Sequence, residues 1–361
     1  MDSVTQAVLG ASICGATLGR YHGRKALIAG AVLATLPDLD VFISYPDPIS
    51  AMTYHRGFSH SVLVLTALAL LLSLLWRLWR PDPRYSSVRL FMALWLTLVT
   101  HPLLDAFTSY GTQLLWPLSS TPASWSSIFI IDPLYTLPLF VATLLGLCFG
   151  KQSLSTKACY WGLGLSSLYL LCSVGAKTWA EKQALHTLAS KEVYVERVFS
   201  AAQPLNILLW RVIARTADGK DCEVQIGLLD HWRAPHSDPE ILCLPHQHNL
   251  LHALGPMPEL ARLRWFTNDW LRYDLIDDLL IVSDLRMGLG PGVYSFRFVI
   301  AERNLDDSYS YVSPYRWPNA NAHDWSTVRA VLNRVWAPTQ TLPWQQWAKE
   351  IQTHLIQPSP K

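Results

Sequence analysis

The chain has 361 residues, half of them hydrophobic and only 16% charged, with a net charge of +2 and a mean hydropathy of +0.18. Soluble domains carry roughly a quarter charged residues, so this composition argues against a wholly soluble protein. The near-neutral balance gives no electrostatic footprint for nucleic acid. The length suits two domains, and the long apolar runs crowd into residues 1–180 while 181–361 hold most of the charge.

Met1-Asp2-Ser3-Val4 lacks the basic start of a secretory signal, so Asp2 is expected in the mature chain. Six apolar segments follow, at about 4–19, 26–36, 61–79, 88–104, 134–150 and 158–176. A membrane span needs about 20 apolar residues. The third, fourth and sixth segments reach this and the fifth is borderline. The first two are short and rich in small residues, among them Gly10, Gly15, Gly19, Ala26, Gly30 and Ala34. Small residues at such spacing permit close helix contact, so these two read as helices sheltered by the others.

Lys and Arg set the orientation. Arg20, Arg24, Lys25, Arg77, Arg80, Arg84, Arg89, Lys151 and Lys157 occupy one set of loops, whereas the alternate loops hold only Arg56. This asymmetry places the basic loops in the cytoplasm. The other loops and the C-terminal part then lie on the periplasmic side of a bacterial inner membrane.

Beyond about residue 180 the pattern becomes strand-like at 193–201, 208–216, 222–229, 278–284 and 293–301, with Ala217-Asp218-Gly219-Lys220 as a hairpin turn. Residues 260–269 and 327–336 read as helices. The predicted fold is mostly α: a polytopic helical membrane bundle over 1–180, followed by a soluble periplasmic α+β domain over 181–361. Cys14, Cys148, Cys159 and Cys172 fall in apolar segments and read as small buried hydrophobes. Cys222 and Cys243 lie in the polar part, where an oxidising compartment lets a disulfide persist, two buried free thiols being the alternative.

Four short motifs carry the chemistry: Pro37-Asp38-Leu39-Asp40, His55-Arg56-Gly57-Phe58-Ser59-His60, His101-Pro102-Leu103-Leu104-Asp105 and Ile131-Asp132-Pro133. By the charge argument all lie at the non-cytoplasmic ends of their segments, so residues far apart in sequence meet at one membrane face. His101 and Asp105 share a helix face, as do Asp2 and Gln6, a possible fifth element. Asp38, Asp40, His55, His60, His101 and Asp105 form a mixed N/O donor set suited to one or two divalent ions, zinc first, with manganese or iron as alternatives. Such an ion lowers the pKa of bound water to about 7. Asp132 is the expected base or supporting carboxylate, and Arg56 the expected clamp for an anionic substrate. A second group, His246, His248 and His252, reads as loop histidines.

These motifs, together with Met1-Asp2-Ser3-Val4-Thr5-Gln6 and Thr108-Ser109-Tyr110-Gly111-Thr112-Gln113, resemble the YdjM-like family. Its members are described as inner-membrane, predicted metal-dependent hydrolases. The likeness covers about residues 1–180. That family is distantly similar to zinc-dependent phospholipase C and related nucleases, where a His-x-x-x-Asp pair binds metal. The resemblance therefore implies that role for His101 and Asp105. No His-x-x-x-Glu pair, another ligand pair of those enzymes, lies in the region of likeness.

The expected function is hydrolysis of an ester, a phosphoester first, on a lipid or lipid-linked substrate, with membrane lipids as surroundings and no nucleic-acid partner. Two alternatives remain open. One is an assembly or regulatory protein with a structural metal, whose C-terminal domain binds a partner. The other is a metal or proton transporter, which would need polar groups at mid-membrane.

Overall fold

The computed structural model describes residues 1–118, 120–234, 237–247, 250, 254, 256–306, 308–318 and 325–353, the side chains of 352 and 353 excepted. His248 and His252 lie outside the described residues. The chain divides into two compact units, Met1–Ser44 with Tyr54–Val174, and Tyr45–Thr53 with Gly175–Lys361.

The first unit is helical. Helix α1 (Ser3–His22) begins at Asp2, whose carboxylate accepts the Thr5 amide at 3.0 Å, satisfying one of the free N–H groups of the first turn. Gly23, at φ 58, turns the chain directly into α2 (Arg24–Thr35). The two form a tight hairpin. A Cβ on Gly10 would lie 2.4 Å from Ala34 Cβ, and one on Gly30 would lie 2.2 Å from the Gly10 carbonyl oxygen. The small residues seen in the sequence are thus what lets the two backbones touch. Most of α1 is buried, as expected for a sheltered helix.

After α2, Pro37 ends the α-helix and residues Pro37–Phe42 continue as a 3-10 turn. A short helix α3 (Pro48–Tyr54), which up to Thr53 belongs to the second unit, and a 3-10 turn at Phe58–His60 lead into α4 (Val62–Trp79). Then come α5 (Ser87–Ala106), α6 (Pro133–Phe149) and α7 (Ser153–Ser190). Helices α4, α5 and α7 are long and apolar enough to cross a membrane, while α6 is shorter. The six apolar segments therefore correspond to six helices, three of which meet the requirements of a span on their own. Cys14 and Cys159 are buried, but Cys148 and Cys172 are exposed on this unit, so the expectation of four buried thiols holds for two.

The second unit is β-rich rather than evenly α+β. Strands β1 (Val195–Ala202), β2 (Leu209–Thr216), β3 (Lys220–Gly227) and β4 (Ile241–Pro245) form one antiparallel sheet in sequence order. Strands β5 (Leu271–Ile276), β6 (Leu279–Asp284), β9 (Arg297–Arg303) and β10 (Tyr309–Arg316) form a second, ordered β10-β9-β6-β5. The small ribbon of β7 (Gly288–Gly290) and β8 (Val293–Tyr294) completes the set. One core joins the two large sheets, with Phe199 and Ile213 from the first packed with Ile281 and Val299 from the second. The helices at Pro258–Thr267 and Trp325–Trp336 sit close to their expected positions. Strands β4, β5, β7 and β10 went unpredicted. β5, Leu-Arg-Tyr-Asp-Leu-Ile, alternates, but its inner positions include Arg272 and Asp274, buried as a pair at 2.8 Å. Cys222 and Cys243 face each other across β3 and β4 and are joined by a disulfide.

Candidate metal centre

Three elements of the helical unit deliver one cluster. The 3-10 turn after α2 carries Asp38, the turn before α4 carries His60, and the last turns of α5 carry His101 and Asp105. One ligand atom from each lies within 4.8 Å of the other three. His60 Nε2 and His101 Nε2 are 3.2 Å apart. Asp38 Oδ1 lies 3.4 Å from the first and 3.3 Å from the second. Asp105 Oδ2 lies 3.3 Å and 3.5 Å from the same two nitrogens. His60, His101 and Asp105 are fully buried, and the Asp38 side chain is 23% exposed.

The far nitrogens of both imidazoles are already committed. His101 Nδ1 donates to the Ala34 carbonyl at 2.6 Å. Ser59 Oγ donates to Asp40 Oδ2 at 2.7 Å, so His60 Nδ1, 2.9 Å from the same hydroxyl, donates to it. With Nδ1 as the donor in each ring, both Nε2 atoms turn lone pairs toward each other and toward two carboxylate oxygens. Four electron-rich atoms at this spacing repel unless a cation sits among them. Metal-ligating histidines are oriented in this way, by a hydrogen bond from the other ring nitrogen. A tetrahedral ion with bonds of about 2.0–2.1 Å puts neighbouring donors about 3.3–3.4 Å apart, which matches the five separations above. Asp105 Oδ2 supplies a further sign, being buried and accepting no hydrogen bond among the described residues. The residues therefore fit a divalent ion bound by two imidazoles and two carboxylates.

The remaining predicted residues are placed differently. Asp40 and His55 are drawn to each other, His55 Nδ1 lying 2.8 Å from Asp40 Oδ1. Asp40 also accepts the Arg56 amide at 3.0 Å and the Ser59 hydroxyl, so its carboxylate holds the loop that carries His60. Arg56, at φ 60, adopts a left-handed backbone conformation that costs roughly 1–2 kcal/mol in an ordinary residue, and the bond to Asp40 helps to hold it there. Its guanidinium is buried. Nε lies 3.3 Å from Asp105 Oδ2, Nη1 donates to Thr108 Oγ1 at 3.3 Å, and the group stacks 4.8 Å over the Tyr110 ring. Asp132 caps α6, accepting the Leu134 and Tyr135 amides at 3.0 and 3.3 Å and the Tyr169 hydroxyl at 2.9 Å.

Burial opposes the Asp40 carboxylate, and its bond with His55 lowers it on balance. Three participants have no motif signature. The Ala34 carbonyl orients His101. Gln6 Nε2 donates to both the His101 carbonyl and Asp105 Oδ1 at 3.2 Å. The Met1 amino nitrogen donates to Asp105 Oδ1. The i,i+4 spacing of Asp2 and Gln6 was the one signal pointing this way, and it is Gln6 that reaches the cluster while Asp2 caps the helix. In the second unit, His246 Nδ1 pairs with Asp221 Oδ2 at 2.7 Å, a partner too distant in sequence to be seen there.

Comparison with known proteins places this geometry. The chain is 25% identical over 256 residues, 67% of its length and 75% of the relative's, to YfhP of Bacillus subtilis (strain 168), a protein described as uncharacterized. It is 35% identical over 98 residues to the inner membrane protein YbcI of Escherichia coli (strain K12), covering 26% of this chain and 55% of that protein. No solved structure matches. Residues 1–180, which contain every member of the cluster, match the family model described as YdjM inner membrane protein. With its buried His/Asp cluster and three candidate spans, the chain belongs, through residues 1–180, to the YdjM family of inner membrane proteins.

Proposed function

We propose that this protein is a membrane-bound, metal-dependent hydrolase acting on a phosphoester, or another ester, of a lipid or lipid-linked substrate at the periplasmic face. The observation that carries the reading is the convergence of His60 Nε2, His101 Nε2, Asp38 Oδ1 and Asp105 Oδ2 at the spacing of one coordination shell. The ion, when bound, supplies Lewis acidity and lowers the pKa of coordinated water. Zinc, manganese and iron all accept such a donor set.

The chain's own residues do the rest. Ala34 and Ser59 hold the imidazole tautomers. Asp40 fixes the turn that bears Arg56, Ser59 and His60. Arg56, turned inward on Asp105, offsets the carboxylates and any negative charge that develops beside them. Asp38 is the most exposed of the four donors, so approach from outside is on its side. Helix ends, not mid-helix positions, carry Asp38 and His60, which supports a substrate in the membrane surface and weighs against a transport path. The Lys/Arg asymmetry supports the periplasmic orientation, and the disulfide supports an oxidising compartment for the second unit.

The count of four protein donors favours a second reading, a closed structural metal site. Turnover separates the two. Detergent-purified protein loaded with zinc, manganese or iron is assayed on phosphodiesters and phospholipids, beside Arg56→Ala. The hydrolase reading expects turnover in the wild type, and a variant that keeps its ion and loses rate. Full metal occupancy without turnover on any ester would leave the structural reading.

A further inference from the structure

The same unit has a second feature, at the end of the bundle opposite the metal cluster. The α1–α2 turn, the last turns of α4 and the first turns of α5 surround a cavity of about 450 Å³. Its walls are almost wholly apolar, with Leu18 and Leu33 facing Leu72 and Leu94. Along α5, Leu94 precedes His101 by seven residues, about 10 Å of helix, so the cavity and the metal cluster occupy different levels of the bundle. One rim is open to the surroundings, as Val32 is 58% exposed.

The head of the cavity is polar and ordered. His22, Lys25, Trp76 and Tyr85 line it. The Tyr85 hydroxyl lies 3.0 Å from His22 Nε2 and accepts from Trp76 Nε1 at 3.2 Å. Of the neighbouring cations, Arg84 is engaged with Asp82 and Arg77 with the Asp82 and Tyr85 carbonyls, while Lys151, beyond His22, does not line the cavity. Lys25 is different. It is exposed and makes no hydrogen bond or ion pair among the described residues. A long apolar slot closed at one end by a free ammonium and an aromatic hydrogen-bonded rim matches an amphiphile with an anionic head.

We propose that this cavity is a binding site for an anionic glycerophospholipid of the surrounding bilayer, one acyl chain lying between α2, α4 and α5 and the phosphate at Lys25. Charge complementarity selects this occupant. A zwitterionic head would bring its own ammonium up to Lys25, and an apolar protein segment would leave Lys25 without a partner. The site is distinct in place and in chemistry from the metal cluster, and does not depend on its function.

The test uses full-length protein, delipidated in detergent and titrated with phosphatidylglycerol or phosphatidylcholine of identical acyl chains, bound lipid being counted by native mass spectrometry. One lysine near an anionic head gives a preference of about fivefold for phosphatidylglycerol. Lys25→Gln is expected to bring the two lipids to parity. Ala29→Trp, on the cavity wall, is expected to lower binding of both by filling the slot. Equal binding of the two lipids by the wild type would overturn the proposal, as would a preference that survives Lys25→Gln. Unchanged lipid binding in Ala29→Trp, checked for an unaltered melting temperature, would place the bound lipid elsewhere and overturn it too.

Discussion

Gly30→Ala adds one methyl group, a full helical turn before the carbonyl that orients His101. The new Cβ would meet the Gly10 carbonyl oxygen at 2.2 Å and Cys14 Cβ at 2.7 Å. The first contact is with backbone, so no side chain can rotate out of the way. The α1–α2 hairpin must open by about 1 Å to recover ordinary van der Waals separation. Overpacking of this kind costs roughly 1–3 kcal/mol, and the better helix propensity of alanine returns about 1 kcal/mol. The net loss of stability is therefore small, about 0–2 kcal/mol by those two terms. The metal centre is affected more. Ala34 follows Gly30 by one turn, and its carbonyl holds His101 Nδ1 at 2.6 Å. A shift of about 1 Å takes that bond outside hydrogen-bond range. Loss of such an orienting partner typically weakens metal binding about 10–100-fold. Competition titration of the purified variant against a chromophoric chelator measures this, and a thermal melt measures the stability. Metal affinity within twofold of wild type, with the melting temperature lowered, would refute the coupling of the hairpin to the site.

Three further outcomes are expected. Cys222→Ser removes a bridge closing a loop of about 20 residues and should lower stability by about 3 kcal/mol, and the intact mass of the wild type should rise by two hydrogens on reduction. Asp221 is buried, which disfavours its carboxylate, but His246 and Arg215 more than compensate and hold its carboxyl below the usual range. Its contribution is thus fully present above the ordinary carboxylate pKa and is lost as pH falls through the lower folded value. Asp221→Asn should flatten that acid limb in a stability-versus-pH series. Cysteines introduced at Asp82 and Gln152 should be labelled from the cytoplasm and those at Asp47 and Ser120 from outside, and labelling of position 47 only after lysis would overturn the orientation.

The helices were legible because lipid and close packing leave strong marks: continuous apolar runs for α4, α5 and α7, and a small-residue stripe for α1 and α2. Motif spacing brought attention to every residue of the four-donor cluster. It did not separate Asp38 from Asp40. The two are neighbours in a 3-10 turn, and only the folded turn shows that one points to the imidazoles and the other to His55, Arg56 and Ser59. Nor did it separate His55 from His60, for the same reason. Contributions from Ala34 and Met1 are a backbone carbonyl and an amino group, which carry no residue-type signal. Gln6 is a neutral side chain whose role comes from its place beside Asp105. In the second unit β5 escaped notice, because its buried Arg272–Asp274 pair breaks the expected alternation of apolar and polar positions, whereas β2 and β3 were legible in spite of the buried Arg211–Glu223 pair.

The central claim is that His60, His101, Asp38 and Asp105 hold a divalent ion. Elemental analysis of detergent-purified wild type and His101→Ala, after expression with zinc, manganese and iron supplied, tests it most directly. The imidazole of His101 contributes one of four donors, and the apolar helix surfaces that hold the bundle do not depend on it. The expected result is about one ion per chain in the wild type and its loss in the variant, with helicity retained. Full occupancy in His101→Ala, or a wild type that takes up none of the three metals, would contradict the assignment.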